Sequence, residues 1–265
     1  MKIGSATLTR LGYADVTVPP EAVSVTAAHI RATDWAQPLW AEGDLARAAA
    51  AAWLIESGDA RIVVDPALAA DDILRSGPDA SVHQSAFAAL FADAGVPRES
   101  ITHAIATHID GIGMFAWRDD GWIPFFPNAP LMLSQRELDA FDNGYHASGE
   151  EALADLRAYG AVEAVEPDVL RVTDDVVIEF TGGHAPGHQI VRVGSGSESA
   201  VILGHLATTP LALTARVCPG AHIDSEKAWT ILEALRDSGV ILVGPLWPAP
   251  GAGRWDGERF VAVSA

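Results

Sequence analysis

Two short runs hold the residues best able to do chemistry. The first is Thr107-His108-Ile109-Asp110-Gly111-Ile112-Gly113, and the second is Gly183-His184-Ala185-Pro186-Gly187-His188, about seventy-five residues later. Each follows a stretch with strand character, so each sets its imidazoles at the mouth of a sheet. Histidine titrates near neutrality and is a common metal ligand, which makes the two runs candidates for acid–base or metal-assisted chemistry.

The elements needed to position these runs are legible on both sides. Ala52 to Glu56 and Arg61 to Asp65, separated by Ser57-Gly58-Asp59, read as a hairpin whose second strand ends on an acid and Pro66. Ser81 to Ala94 has Phe87, Leu90 and Phe91 at helical spacing, with Gly95 and Pro97 as the stop. Ile101 to Thr107 then reads as a buried strand delivering His108. Leu131 to Leu133 is a further strand, and Ser134 with Glu137 three residues on has the spacing of a capping box for a helix through Phe141. A helix over Glu150 to Tyr159 precedes strands at Val169 to Val172, Val176 to Phe180, Gln189 to Val193 and Ala200 to Leu203. The last helix, Asp224 to Asp237, has Trp229, Leu232 and Leu235 on one face, and Ile241 to Val243 is the final core strand.

Composition limits the function classes. With 265 residues, 49% of them hydrophobic, the chain can bury a sizeable core, and no linker divides it, so one domain over 1–265 is expected. Thirty-five acidic against 17 basic residues give a formal charge of -18, which repels polyphosphate and anionic membrane surfaces. Nucleic acid and membrane are therefore not expected partners; a small molecule is, and a homodimer is open. The N-terminal residues lack a secretory pattern, and the longest apolar run, Ala48 to Ile55, is too short to cross a bilayer, so a soluble cytoplasmic protein is expected. The single cysteine, Cys218, has no neighbouring Cys or basic pair and reads as a small buried side chain.

The order of the landmarks resembles the metallo-β-lactamase-like hydrolases, in particular their lactonase-like branch. The family's first corner is Thr-His-x-His-x-Asp-His-x-Gly, which Thr107 to Gly113 matches with two residues removed. Gly183 to His188 is similar to the family's Gly-His-Thr-Pro-Gly-His, Ile202-Leu203-Gly204-His205 to its strand, Gly and bridging Asp, and Val243-Gly244-Pro245 to the place of its last ligand His. Trp122 to Ala129 resembles the loop before a strand and a Ser/x/x/Glu helix. The resemblance runs from about Trp53 to Arg254. It implies an α/β fold, an αββα four-layer sandwich with two mixed sheets and helices outside.

Carried over position by position, the resemblance makes His108 and His184 ligand histidines and Asp110 the ligand aspartate. The second His has no counterpart, the third is Gly111, the bridging Asp is His205 and the last His is Pro245. Glycine and proline side chains offer no lone pair to a cation, so a dinuclear centre is not expected. His108, Asp110, His184 and His205 remain as a nitrogen and oxygen set suited to one zinc or other divalent ion with a position open for water. The implied function is a small-molecule hydrolase of ester or lactone type in which His184, His205 and Asp110 serve the chemistry and His188 assists the leaving group. The alternatives are a metal-free lyase, isomerase or hydrolase using the same histidines with Asp110 as orienter, or a pseudoenzyme binding an aromatic metabolite.

Phe115, Trp117, Trp122, Phe125 and Phe126 place five aromatics within twelve residues just after the first corner. With Asp119-Asp120-Gly121 as a turn they read as an aromatic flap over a pocket for an apolar or aromatic substrate, closed on the other side by Trp247. A packed mini-core or dimer contact is the competing reading. No Lys or Arg stands in either corner, which leaves Arg118 and Arg254 as the nearest anion-holding candidates. His29, His83, His103, His146 and His222 read as structural or exposed, His29 and His103 within strand-like segments.

Overall fold

The computed structural model describes residues 1–65, 88–109, 115–118, 121–145, 150–214 and 222–264. His83, Asp110 to Gly113, Asp119-Asp120, His146 and Cys218 lie outside these residues, as does most of the helix expected over 81–94, of which 88–93 is helical.

One mixed sheet contains β1 (Lys2–Ile3), β2 (Ala6–Val18), β3 (Ala41–Glu42), β4 (Leu45–Ser57), β5 (Ala60–Val64), β6 (His103–Ile105), β9 (Leu131–Ser134) and β10 (Val162–Val165). Their order is β1-β2-β4-β5-β6-β9-β10, with β3 added on β4, and the pairings from β5 to β10 are parallel. The second sheet runs in sequence order through β11 (Val169–Arg171), β12 (Val176–Phe180), β13 (Gln189–Val193), β14 (Ala200–Ile202), β15 (Ile241–Val243), β16 (Ala252–Trp255) and β17 (Phe260–Ala262), with only β14 and β15 parallel. Between them in the chain, β7 (Phe115–Arg118) and β8 (Gly121–Pro124) form a separate hairpin.

Three apolar clusters define the layers. Leu8, Trp53, Ile55, Val64, Ile105, Val191, Ile202 and Val243 interleave from both sheets into a central core. On the outer face of the first sheet, Leu54, Val63 and Leu133 pack against Leu138 of α2 (Gln135–Asp142) and Leu153 and Leu156 of α3 (Glu150–Tyr159). On the outer face of the second, Val201, Leu203 and Leu242 pack against Ile30 of α1 (Ala27–Ala32) and Trp229, Leu232 and Leu235 of α4 (Ser225–Asp237). The result is the expected helix–sheet–sheet–helix sandwich.

The boundaries differ where tertiary pairing overrides local preference. The strand read from Ala52 begins at Leu45, because β2 pairs with it continuously from Thr7 to Val18 across one bulge. Its alanines are good helix formers, but burial and a partner strand on either side hold them extended. His29 lies in α1, not in a strand; Thr26 caps that helix by accepting from the His29 N–H. No helix among the described residues is long and apolar enough to cross a membrane.

Candidate functional site

β5 and β6 run parallel and end at the same edge, where the chain turns out of the sheet at Asp65 and Thr107. Asp65 has φ 41° and is buried. Its Oδ1 accepts from the Thr107 N–H at 2.7 Å and its Oδ2 from the Thr107 hydroxyl at 2.6 Å. Having given its proton to Asp65, Thr107 Oγ1 acts as acceptor to His108 Nδ1 at 3.1 Å. That places the ring proton of neutral His108 on Nδ1 and leaves Nε2 as a lone-pair donor. Burial pushes the Asp65 carboxyl up, opposed by the neighbouring His108, the two Thr107 hydrogen bonds and His205.

The second corner is seated by close backbone approach. Gly183 has φ 83°, and a Cβ there would lie 2.9 Å from the Ala228 nitrogen of α4. A Cβ on Gly187 would collide with the backbone of Glu137 in α2. Glu137 is buried and accepts from Ile109 N–H at 3.3 Å and from Gly187 N–H at 2.6 Å, so one carboxylate ties the two corners together. The capping-box reading of Glu137 is thereby corrected. Ser134 caps α2 by accepting from Arg136 N–H, while Glu137 turns inward, where two unpaired backbone donors need an acceptor. Gln189 adds a third tie through Nε2 to the Ala106 carbonyl at 2.8 Å.

These supports bring His108, His184 and His205 together. One ligand atom from each lies within 4.8 Å of the others. The His108 ring stands 4.7 Å from both the His184 and the His205 rings, and the latter two are 5.5 Å apart. His205 reaches the cluster from a short 3-10 turn, Gly204–Leu206, with Gly204 at φ 56° and no room there for a Cβ beside Thr107. Asp110 lies outside the described residues.

His222, read from sequence as structural or exposed, belongs to the cluster. Its Nδ1 is 3.0 Å from His184 Nδ1, and backbone bonds from Ile223 and Asp224 to the His184 and Gly183 carbonyls hold it there. With His184 Nδ1 engaged, its Nε2 is the atom left for a ligand. Burial first, then the surrounding imidazoles, keep His184 protonation far below the ordinary histidine range. His222 is lowered by burial and by His205.

His188 is corrected in its role. It is fully buried, its Nδ1 is 2.7 Å from Thr181 Oγ1, and that hydroxyl donates to the His188 carbonyl. Its Nε2 is buried without a hydrogen-bond partner among the described residues, against Gly204. Burial and neighbouring imidazoles hold it neutral. A side chain with no accessible surface cannot assist a leaving group; His188 instead packs behind His108 and His184 at 5.6 and 5.5 Å.

The aromatic flap is corrected as well. Phe115, Trp122, Phe125 and Phe126 are buried in the outer core of the first sheet with Phe91, whose ring meets Phe126 at 5.3 Å and Phe125 at 6.3 Å. Rings so large bury more apolar area against α3 and 88–93 than they would lining an open pocket. The Trp117 side chain is outside the description. Trp247 is fully buried against Trp40 and Phe260, and its Nε1 donates to the Ala207 carbonyl.

Sequence reasoning missed Asp65, Glu137 and His222. Asp65 carried a signal, an acid ending an apolar strand; the partners of Glu137 and His222 lie 28 or more residues away and had none.

No family model and no curated protein sequence matches the chain. Solved structures do. A probable metal-dependent hydrolase from Staphylococcus aureus superposes with TM-score 0.74 at 15% identity, over 100% of this chain and 98% of that one. The hydrolase AbOPH of the beta lactamase superfamily gives 0.71 at 17%, over 100% and 96%. AidC, a dizinc quorum-quenching lactonase in complex with an N-acyl-L-homoserine product, gives 0.70 at 15%, over 100% and 96%.

Proposed function

We propose, from a metallo-β-lactamase fold whose mouth gathers three imidazoles, that this protein is a small-molecule hydrolase of ester or lactone type using one divalent metal. The carrying observation is the convergence of His108, His184 and His205 within 4.8 Å. Three imidazole nitrogens with a fourth position open is a donor set zinc accepts in catalytic sites. His108 and His184 each have Nδ1 occupied, by Thr107 and His222, so each would offer Nε2. That is the outer-sphere arrangement that fixes ligand tautomers. A bound ion of this kind supplies a water acidic near pH 7 and polarises a carbonyl.

The chain's own residues do the rest. Asp65 acts through Thr107 to orient His108, and Glu137 holds the two corners at fixed spacing. His188, neutral and buried, packs behind the ligand rings. The family's dinuclear arrangement does not fit this donor set, since Gly111 and Pro245 stand where two of its ligands are expected. The solved neighbours support hydrolysis, and the lactonase among them supports the ester or lactone class.

Elemental analysis of protein purified without chelator tests this reading, followed by an assay against a panel of lactones and aryl esters. One equivalent of metal and turnover are expected, both lost in His184→Ala. Less than about a tenth of an equivalent, unrecovered on adding zinc, overturns the metal reading.

A further inference from the structure

Two of the clustered imidazoles come from different sheets, which share no strand pairing among the described residues. His108 follows β6 of the first sheet and His205 follows β14 of the second, yet their rings stand 4.7 Å apart. The apolar side chains between the sheets attract without direction, whereas metal ligands must hold their distances to within about 0.2 Å. A more specific contact is needed at the mouth, and Thr107 supplies it. Its N–H and hydroxyl donate to Asp65 just past β5, and its hydroxyl oxygen accepts from His108 Nδ1. Its carbonyl accepts at 2.9 Å from the N–H of Gln189, the first residue of β13 in the second sheet.

The same hydroxyl lies against Gly204, the residue before His205. A Cβ added to Gly204 would collide with Thr107 Oγ1 and lie 2.7 Å from Thr107 Cβ and 3.0 Å from His188 Nε2. Neither neighbour is a flexible chain end that can swing aside. Thr107 is fully buried and held by both oxygens of Asp65, and His188 is fully buried with its Nδ1 on Thr181. Gly204 is itself buried at φ 56°. The turn Gly204–Leu206 therefore rests, through a bare α-carbon, on the hydroxyl that orients His108.

We propose that Gly204 is a positioning residue for the three-imidazole cluster. Its contact with Thr107 sets the spacing of His205 from His108 and keeps the Thr107 hydroxyl on Asp65 and His108. Resting on the hydrolase reading, this adds a residue that acts through the ligands and not on the substrate. A methyl group at 204 has two ways to relieve the collision. Thr107 turns its hydroxyl away, and His108 loses the acceptor that fixes its tautomer, or the turn backs off and withdraws His205. Either way the donor set is spoiled with every ligand still present.

Replacing glycine at positive φ strains the backbone whatever surrounds it, so the control for Gly204→Ala is Gly58→Ala. Gly58 has φ 59° and nothing within 4 Å of an added Cβ, which isolates the strain from the collision. Imidazole nitrogen NMR of the metal-free protein is expected to show His108 as a fixed Nδ1–H tautomer, assigned by its absence in His108→Gln. Zinc affinity is read separately by competition with a chelator. Gly58→Ala is expected to keep both; Gly204→Ala is expected to lose the tautomer, the zinc affinity by about 10–100-fold, or both. Keeping both in Gly204→Ala overturns the proposal, as does an equal loss in Gly58→Ala or a wild-type His108 without that tautomer. Should wild type bind no zinc, the hydrolase reading fails and the tautomer alone decides the proposal. Should Gly204→Ala fail to melt cooperatively, it is combined with Thr107→Gly, which removes both Thr107 atoms in the way: a cooperative melt supports the contact, and continued failure overturns it.

Discussion

The rings of Phe115, Trp122, Phe125 and Phe126 and the histidine mouth are both largely buried, but for opposite reasons. The aromatics are buried because leaving water is favourable for them, and any apolar surface of the right shape would serve. Asp65, His188 and Glu137 are buried although leaving water is unfavourable, and each is held by specific partners: Thr107, Thr181, and the Ile109 and Gly187 amides. A cluster of large apolar residues in a sequence therefore points first to a core. Polar groups kept dry by specific partners point to a site whose geometry matters.

That contrast can be broken by experiment. The largest effect expected is from Phe126→Ala, which removes a ring packed on Phe91 and Phe125 and should lower unfolding free energy by about 3–5 kcal/mol, with zinc affinity unchanged once the protein is folded. If the variant melts like wild type but binds small ligands less well, the segment lines a pocket after all. Glu137→Ala strands two buried backbone N–H groups and should cost about 2–4 kcal/mol in chemical denaturation. Unlike Phe126→Ala, it should also weaken zinc binding, and a change in stability alone would make Glu137 a core prop.

A smaller effect is expected at His222. Replacing it with Ala removes the partner of His184 Nδ1 and should reduce zinc affinity about 10–100-fold, read by competition with a chromogenic chelator. Unchanged affinity would leave His222 without a part in the site.

The smallest effect is the slope of stability with pH. His184 and His188 have folded pKa values below the unfolded one, so below about pH 6.5 the unfolded chain binds protons that the folded chain does not. Their contribution is full above that pH and is lost as pH falls, by up to about 1.4 kcal/mol per pH unit for each histidine. Asp65, with its folded pKa raised, acts in the opposite sense: its contribution is present below the unfolded carboxylate pKa and is lost as pH rises through the raised folded value. Two histidines against one acid predict a falling melting temperature for metal-free protein between pH 7 and 5. A flat profile would show that the imidazoles are already accessible to protons.

The sequence by itself determined the order of the strands and helices between Ala52 and Val243 and the positions of the two histidine corners, which follow from periodicity, turn residues and spaced motifs local along the chain; the four-layer architecture came only from the resemblance that the order of those motifs carries. His108 and His184 were legible as histidines following strands, and His205 as the second residue after a buried strand. Only the tertiary structure decided which other groups join them. His222 meets His184 across 38 residues, and Glu137 meets Gly187 across 50. Hydrogen bonds reach about 3 Å in space and carry no trace along the chain, so an acid with helix-cap spacing gave no sign of where it would point.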